Sequence, residues 1–276
     1  GEFYYKNIFP KIYKDICDNL NARFFIYENN SKDSTKEILK DMESKYKNIF
    51  VKTDTKESKD RISNIIEARN SLSIFYKEWS LKNSIGGKWL FIFDTDIIFN
   101  YKESIIPLLQ NKKEGTLMEL TYSIFSGYNQ KLNNIISKKE LNNEESYFIE
   151  LMMIYYYDTF ALNWGEYYRK NPLRILNSFY NKIESGFGGL GVIRTDYYLT
   201  SFYDKSYRKR KFINKYLKEE LCCEHWGFGQ RLNTMGEMYI NKNSQSLWYQ
   251  EKDYINDDFR DYVKFFIKNK KLNNIL

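Results

Sequence analysis

The chain is poor in the residues that staple, break or punctuate structure. Its 276 residues hold three cysteines, three prolines and a single histidine. Three cysteines, with Cys222 and Cys223 adjacent and Cys17 far upstream, cannot make a disulfide framework, so a reducing compartment is expected. No apolar run approaches the roughly 18 residues of a membrane span, and no signal peptide opens the chain. Internal repeats and low-complexity linkers are absent. Neither an RNA-binding signature nor a zinc-finger spacing is present, which argues against a nucleic-acid partner. The one glycine cluster, Gly186 to Gly191, lacks the spacing of a dinucleotide fingerprint.

What remains is a globular composition, 29% charged and 42% hydrophobic. Aromatics reach 18%. Part of that follows the Lys, Asn and Ile usage of AT-rich coding, and part suits a surface that stacks on sugars. The net charge of +7 suits an anionic ligand such as a nucleotide diphosphate, or peripheral association with an anionic membrane surface.

Periodicity organises the first half. Gly1 to Leu20 has helical spacing, with Pro10 as its one blemish. A short strand, Arg23 to Tyr27, runs into the polar turn Glu28 to Thr35. A helix from about Ser34 to Tyr46, a strand at Ile49 to Lys52, and a helix from Arg61 to Trp79 follow. The apolar run Trp89 to Phe93 then drives into Asp94-Thr95-Asp96. This alternation predicts an α/β sheet with parallel strands, lacking the strand that normally precedes the first helix. That strand would lie upstream of residue 1 or have been trimmed. Residues 1–115 form the nucleotide-binding half and residues 116–250 a less regular sugar and acceptor half. Residues 251–276 read as a basic helical tail, and the whole as a single domain.

Five groups carry candidate chemistry. Asp94 and Asp96 end a buried strand, where hard oxygen ligands suit Mg²⁺ or Mn²⁺ bridging a diphosphate; the alternative is a solvated turn. In the Glu28 turn, Ser31, Asp33 or Thr35 caps a helix, while Glu28 or Asn30 faces the crevice and hydrogen-bonds a nucleobase. Arg61, Arg69 and Asn70 lie on one helix; Arg69 offers a planar fork to a diphosphate or is an exposed helix arginine. His225 is a metal ligand or pyrophosphate contact, and it follows Glu224, the best general-base candidate or else an ion-paired glutamate. The segment after it, Trp226 to Gly229, does not read as a regular helical face. Gly188 and Gly189, in the glycine cluster, allow close backbone approach to a sugar or simply make a tight turn. Asp158, inside a tyrosine run, contacts the acceptor or bonds a neighbouring tyrosine.

These pieces, in this order, resemble a GT-A-fold glycosyltransferase. Tyr27 to Thr35, Glu67-Ala68-Arg69-Asn70, Gly87 to Asp96 and Glu224 to Leu232 are similar to four segments of the large inverting family of such enzymes. A closer likeness is to the fungal capsule-associated α-1,3-mannosyltransferases. It is carried by Tyr27 to Ser31, Arg69-Asn70, Tyr157-Asp158-Thr159, Gly188-Gly189 and Cys223-Glu224-His225. The chain departs from them in its Asp-Thr-Asp, where they tend to have Asn-Asp. The resemblance implies a GT-A, Rossmann-like mixed sheet flanked by helices. It implies a metal-dependent transfer of a hexose from a nucleotide-diphosphate sugar to a carbohydrate or glycoconjugate hydroxyl. Asp94, Asp96 and His225 would hold Mn²⁺ or Mg²⁺, Glu28 and Arg69 the nucleotide, and Glu224 and Asp158 would act at the acceptor. A cytoplasmic or host-cytoplasmic location fits the thiols; loss of an N-terminal anchor would fit the Golgi lumen. Two rivals remain: a haloacid-dehalogenase-type phosphatase or phosphotransferase, which also uses a strand ending in Asp-x-Asp, and a non-catalytic sugar-nucleotide-binding protein.

Overall fold

A computed structural model describes residues 1–55, 60–110, 112, 114–125, 180–211, 217–221 and 223–248. Asp158, the lysine-rich stretch 129–145, the aromatic stretch 148–161, Cys222 and the tail expected at 251–276 lie outside the described residues.

The first helix is not one regular element. Residues Tyr4–Ile8 form a wide, π-helical turn, and α1 proper runs Phe9–Asn19 with Pro10 in its first turn. Proline cannot donate to the carbonyl four residues back, so it is tolerated only where the helix starts afresh. The same device recurs at Tyr101–Ile105, followed by the short α4 (Ile106–Leu109) with Pro107 at its start.

Strand β1 (Phe24–Asn29) is longer than the periodicity predicts and absorbs Glu28 and Asn29. Helix α2 (Thr35–Lys45) crosses to β2 (Ile49–Asp54), which pairs with β1 in parallel, as expected for a strand–helix–strand unit. Phe24, Ile26 and Glu28 alternate onto the buried face of β1. There Phe24 and Ile26 join Tyr5, Phe9, Leu39 and Ile49 in the core. Each such apolar side chain, buried, contributes about 2 kcal/mol. The opposite face is covered by α3 (Arg61–Asn83), whose Phe75, Tyr76 and Trp79 rings lie 5.7, 5.0 and 5.1 Å from Phe25.

The parallel pairing read from the strand–helix alternation does not extend to β3 (Trp89–Phe93), where the expected mixed sheet is built instead. Its hydrogen-bonded neighbour is β7 (Leu190–Arg194), which runs antiparallel to it, and no described strand links β3 to β1. The cause is the chain's return from the second half: β7, buried from Leu190 to Ile193, takes the edge of β3. Beyond β7 lie β5 (Thr116–Phe125), antiparallel to β7, then β10 (Glu237–Trp248), parallel to β5. β10 also pairs with β4 (Ile97–Ile98) and β6 (Tyr180–Ile183), both antiparallel. The result is a mixed α/β architecture with a mixed sheet flanked by helices. Helix α5 (Thr195–Thr200) follows β7; β8 (Tyr207–Lys211) and β9 (Leu217–Leu221) form a separate hairpin. Helix α6 (Glu224–Asn233) leads into β10. No helix among the described residues is long and apolar enough to cross a membrane.

Candidate functional site

Strand β3 ends at Phe93, so Asp94 is the first residue beyond it, at the carboxyl edge. Its backbone is fixed by one neighbour: the Asp94 N–H donates to Gly189 O at 2.8 Å. Gly188 and Gly189 precede β7 with φ of 66° and 83°, a left-handed pair that favours glycine. A Cβ on Gly189 would also collide with the Ile97 side chain. The turn is tied from beneath by buried hydroxyls. Ser123 donates to Gly188 O, and Thr121 Oγ1 donates to Leu190 O at 3.1 Å. Both hydroxyls contact Ser246 Oγ, at 2.6 and 2.7 Å. The glycine cluster, whose Gly189 lies 95 residues downstream in sequence, thus sets the position of Asp94.

Facing this edge is Arg69, two-thirds of the way back along α3 from its end. Its Nη2 donates to Asp94 Oδ1 at 3.0 Å and Oδ2 at 3.3 Å, and its Nε lies 3.4 Å from Glu224 Oε1. The guanidinium sits over the Phe187 ring at 4.7 Å and the Tyr203 ring at 5.5 Å. Burial opposes its charge, yet the two carboxylates raise its pKa further. Asn70, the next residue, makes a two-way clamp on Tyr203: Nδ2 donates to Tyr203 O at 2.9 Å and Oδ1 accepts from Tyr203 N at 2.8 Å. That clamp holds the Tyr203 ring against Arg69.

Glu224 and His225 open α6, and here the structure corrects the sequence reading, since Trp226 to Gly229 are regular helix. The glycines that disguised it are packing requirements. A Cβ on Gly227 would strike Ser206 and Asp204, and one on Gly229 would lie 2.7 Å from Glu184 O. His225 stacks on Phe187 at 4.4 Å and 16°, with its Nε2 3.2 Å from Glu224 Oε1. It is 2% exposed; burial and the Arg69 charge bring its pKa down to about 3, so the ring is neutral. Its Nδ1 is buried and has no hydrogen-bond partner among the described residues. Burial likewise works against a Glu224 carboxylate. The His225 ring, the Arg69 guanidinium and the Cys223 thiol, which donates to Oε2 at 3.1 Å, outweigh it and hold the pKa at about 2.

The structure therefore brings together Asp94, Arg69, Glu224, His225, Gly188 and Gly189. Asp96 lies half-buried two residues past Asp94, immediately before β4. Among the described residues no group of three or more His, Cys, Asp or Glu side chains could hold a metal, so Asp94, Asp96 and His225 are not gathered into one cage. Asp94 and Asp96 alone do offer hard oxygens, the chemistry of a site whose remaining ligands are water and phosphate oxygens.

Two predicted residues sit elsewhere. Arg61 is the exposed first residue of α3, about 12 Å along the axis from Arg69. Glu28 is 4% exposed, on the face of β1 opposite α3, and its Oε1 accepts the Ser31 N–H at 2.6 Å. Its Oε2 is 4.0 Å from Lys36 Nζ. Asn30 adopts φ 56° and donates its N–H to Asp54 O at 3.1 Å. Asp33 Oδ1 accepts from Thr35 N at 3.1 Å just ahead of α2, whose N-cap residue is Ser34 and makes no side-chain capping bond. The sequence reading missed Tyr203 and Phe187 as the walls around Arg69. Phe187 stood inside the glycine cluster; Tyr203 had no local signal. No protein-family model matches the chain, and no curated protein matches it.

Proposed function

We propose that the chain is a metal-dependent glycosyltransferase of GT-A type, moving a hexose from a nucleotide-diphosphate sugar to a carbohydrate or glycoconjugate hydroxyl. One observation carries the reading: a buried arginine held between two carboxylates, one at the carboxyl edge of the sheet and one at a helix start, beside a glycine turn whose carbonyl fixes the backbone of the first. Open α/β sheets bind ligands at that edge.

Asp94 and Asp96 would hold the Mn²⁺ or Mg²⁺, and the ion would neutralise charge on the departing diphosphate. Asp94 and Glu224 both face the Arg69 guanidinium, and the hard carboxylate oxygens of Asp94 and Asp96 suit a divalent cation. Arg69 is drawn to diphosphate oxygens, for which guanidinium is well suited. As it engages them, its hold on Glu224 weakens and that carboxyl becomes a stronger base. Glu224 then accepts the acceptor hydroxyl's proton if the sugar is inverted, or orients sugar or acceptor if it is retained. His225 is neutral and acts through Glu224, fixing its orientation, with its Nδ1 lone pair available to a ligand. Gly188 and Gly189 form the turn that holds Asp94 at the proposed sugar pocket, and Asp158 is proposed at the acceptor. Glu28 and Asn30 shape the turn beside the nucleotide, with Arg61 at the outer end of the same helix as Arg69.

The test is a panel of nucleotide sugars with Mn²⁺, scored for donor hydrolysis and transfer. Release of the nucleoside diphosphate from one donor is expected. Inorganic phosphate released from a sugar phosphate, with no sugar transfer, would replace this reading with the phosphatase. Metal-dependent nucleotide binding without turnover would replace it with the non-catalytic binder.

A further inference from the structure

Seven large apolar side chains stand exposed among the described residues, and five of them share one edge of the molecule. Tyr46 follows α2 and leads into β2. Leu81, in the last turn of α3, and Ile85, just past it, lead into β3. Leu109 closes α4 ahead of β5, and Met235 lies between α6 and β10. Strands β3, β5 and β10 run in one direction, because β3 and β5 are both antiparallel to β7 and β10 is parallel to β5. Helix α3 crosses from the end of β2 to the start of β3, which sets the start of β2 at the same edge. All five residues therefore lie at the amino ends of strands, opposite the edge that carries Asp94. Exposed apolar residues scattered singly are ordinary; their collection at one edge is not scatter.

The tip before β3 is the most prominent part. Every residue from Leu81 to Lys88 is exposed, Leu81 at 72%. The tip is nevertheless held. Ser84 takes φ 53°, its N–H donates to Leu81 O at 3.3 Å, and the Ile85 N–H donates to Ser80 O at 3.1 Å. Leu81 and Ile85 are thus presented by a closed helix end. Lys47, Lys82 and Lys88 stand on the same helix-to-strand links, exposed and in no ion pair with a described residue. Glu114 is the one exposed acid on the described parts of those links.

We infer that this amino edge is a docking surface for an anionic lipid bilayer. The apolar side chains come from four separate links, whereas a peptide or helix partner is held by anchors gathered in one groove. A bilayer interface accepts such side chains one by one, and its negative headgroups complement the three lysines. That attraction fades within a Debye length. The candidate site lies at the other edge: twelve helical residues, about 18 Å, separate Leu81 from Arg69. Docked this way, the chain turns that site toward the aqueous phase. On the transferase reading the acceptor then arrives from solution; the lipid binding itself does not depend on that reading.

The test is co-sedimentation of the full chain with phosphatidylcholine vesicles, with and without phosphatidylserine. Binding is expected with phosphatidylserine and should weaken as salt rises. The pair Lys82→Gln, Lys88→Gln should bind roughly thirtyfold more weakly. The pair Leu81→Ser, Ile85→Ser should lose roughly tenfold, at high salt as at low. Both pairs should melt close to the parent, since all four side chains are exposed. Controls away from this edge, Lys32→Gln with Lys40→Gln and Ile74→Ser with Phe202→Ser, all exposed, should bind nearly as the parent does. The inference is overturned by an edge variant that binds like the parent, or by a control that loses as much. It is overturned too if the parent ignores phosphatidylserine but forms a dimer that Leu81→Ser, Ile85→Ser dissociates, which would assign the edge to a second copy. No arm contains a nucleotide sugar, so failure here leaves the transferase reading standing.

Discussion

Strands β1 and β3 look alike in the sequence: each is a short aromatic, β-branched run ending in an acid. They differ in what lies across from the acid. Glu28 turns into the core side of β1; its Oε1 accepts a backbone N–H of its own turn, and its buried Oε2 faces Lys36 Nζ from the neighbouring α2 at 4.0 Å. Asp94, 39% exposed, meets Arg69 from α3, and through it Glu224 from α6. A carboxylate at a strand end becomes a candidate site only when distant elements aim charge at it. The local pattern is common to both ends.

That contrast can be broken by substitution, and the largest effect is expected at its hinge. Arg69→Met removes the cation that bridges Glu224 and Asp94. It should cost about 3–5 kcal/mol in denaturant unfolding, because a buried carboxylate is left uncompensated. Gly189→Ala comes next. A left-handed φ and a collision with Ile97 together should cost about 3 kcal/mol, read from the shift in melting temperature.

A pH series sharpens the comparison further. In the unfolded chain His225 binds its proton below about pH 6.5, whereas in the fold it resists protonation until about 3. Between those values the unfolded state holds more protons, so stability falls as pH falls. The slope from this one group reaches about 1.4 kcal/mol per pH unit. Glu224, held at about 2, adds loss of the same sign below about pH 4.5. His225→Asn should flatten the curve between about pH 6.5 and 4.5; an unchanged slope there would mean the ring is not buried neutral. The smallest effect belongs to the other strand. Glu28→Gln keeps an acceptor for the Ser31 N–H and should change stability by only about 1 kcal/mol. A large loss of nucleotide binding in that variant would erase the distinction between the two strand ends.

Much of the scaffold was legible because local rules dominate it. Helices α2 and α3 and strands β2 and β3 lie close to where periodicity and caps set them. The β3 acid pair and the glycine turn were each visible, but their contact was not, since it is made by β7 returning antiparallel to β3. Helix α6 was hidden because Gly227 and Gly229, poor helix formers, are demanded by close packing against Asp204, Ser206 and Glu184. Pro10 obscured the boundary of α1 for a related reason: a wide turn ahead of it accommodates the missing donor. Tyr203 could not have been found at all, because its role depends on Asn70, 133 residues away, clamping its backbone.

The most direct test of the account is calorimetric titration of nucleoside diphosphates, UDP and GDP among them, in the presence and absence of Mn²⁺. It should be run on the parent and on Asp96→Ala, with each protein's melting temperature measured to confirm that both are folded at the titration temperature. The account predicts that one nucleotide binds only with Mn²⁺ and that Asp96→Ala abolishes the binding. Equal binding by the two proteins, or binding indifferent to Mn²⁺, would contradict it.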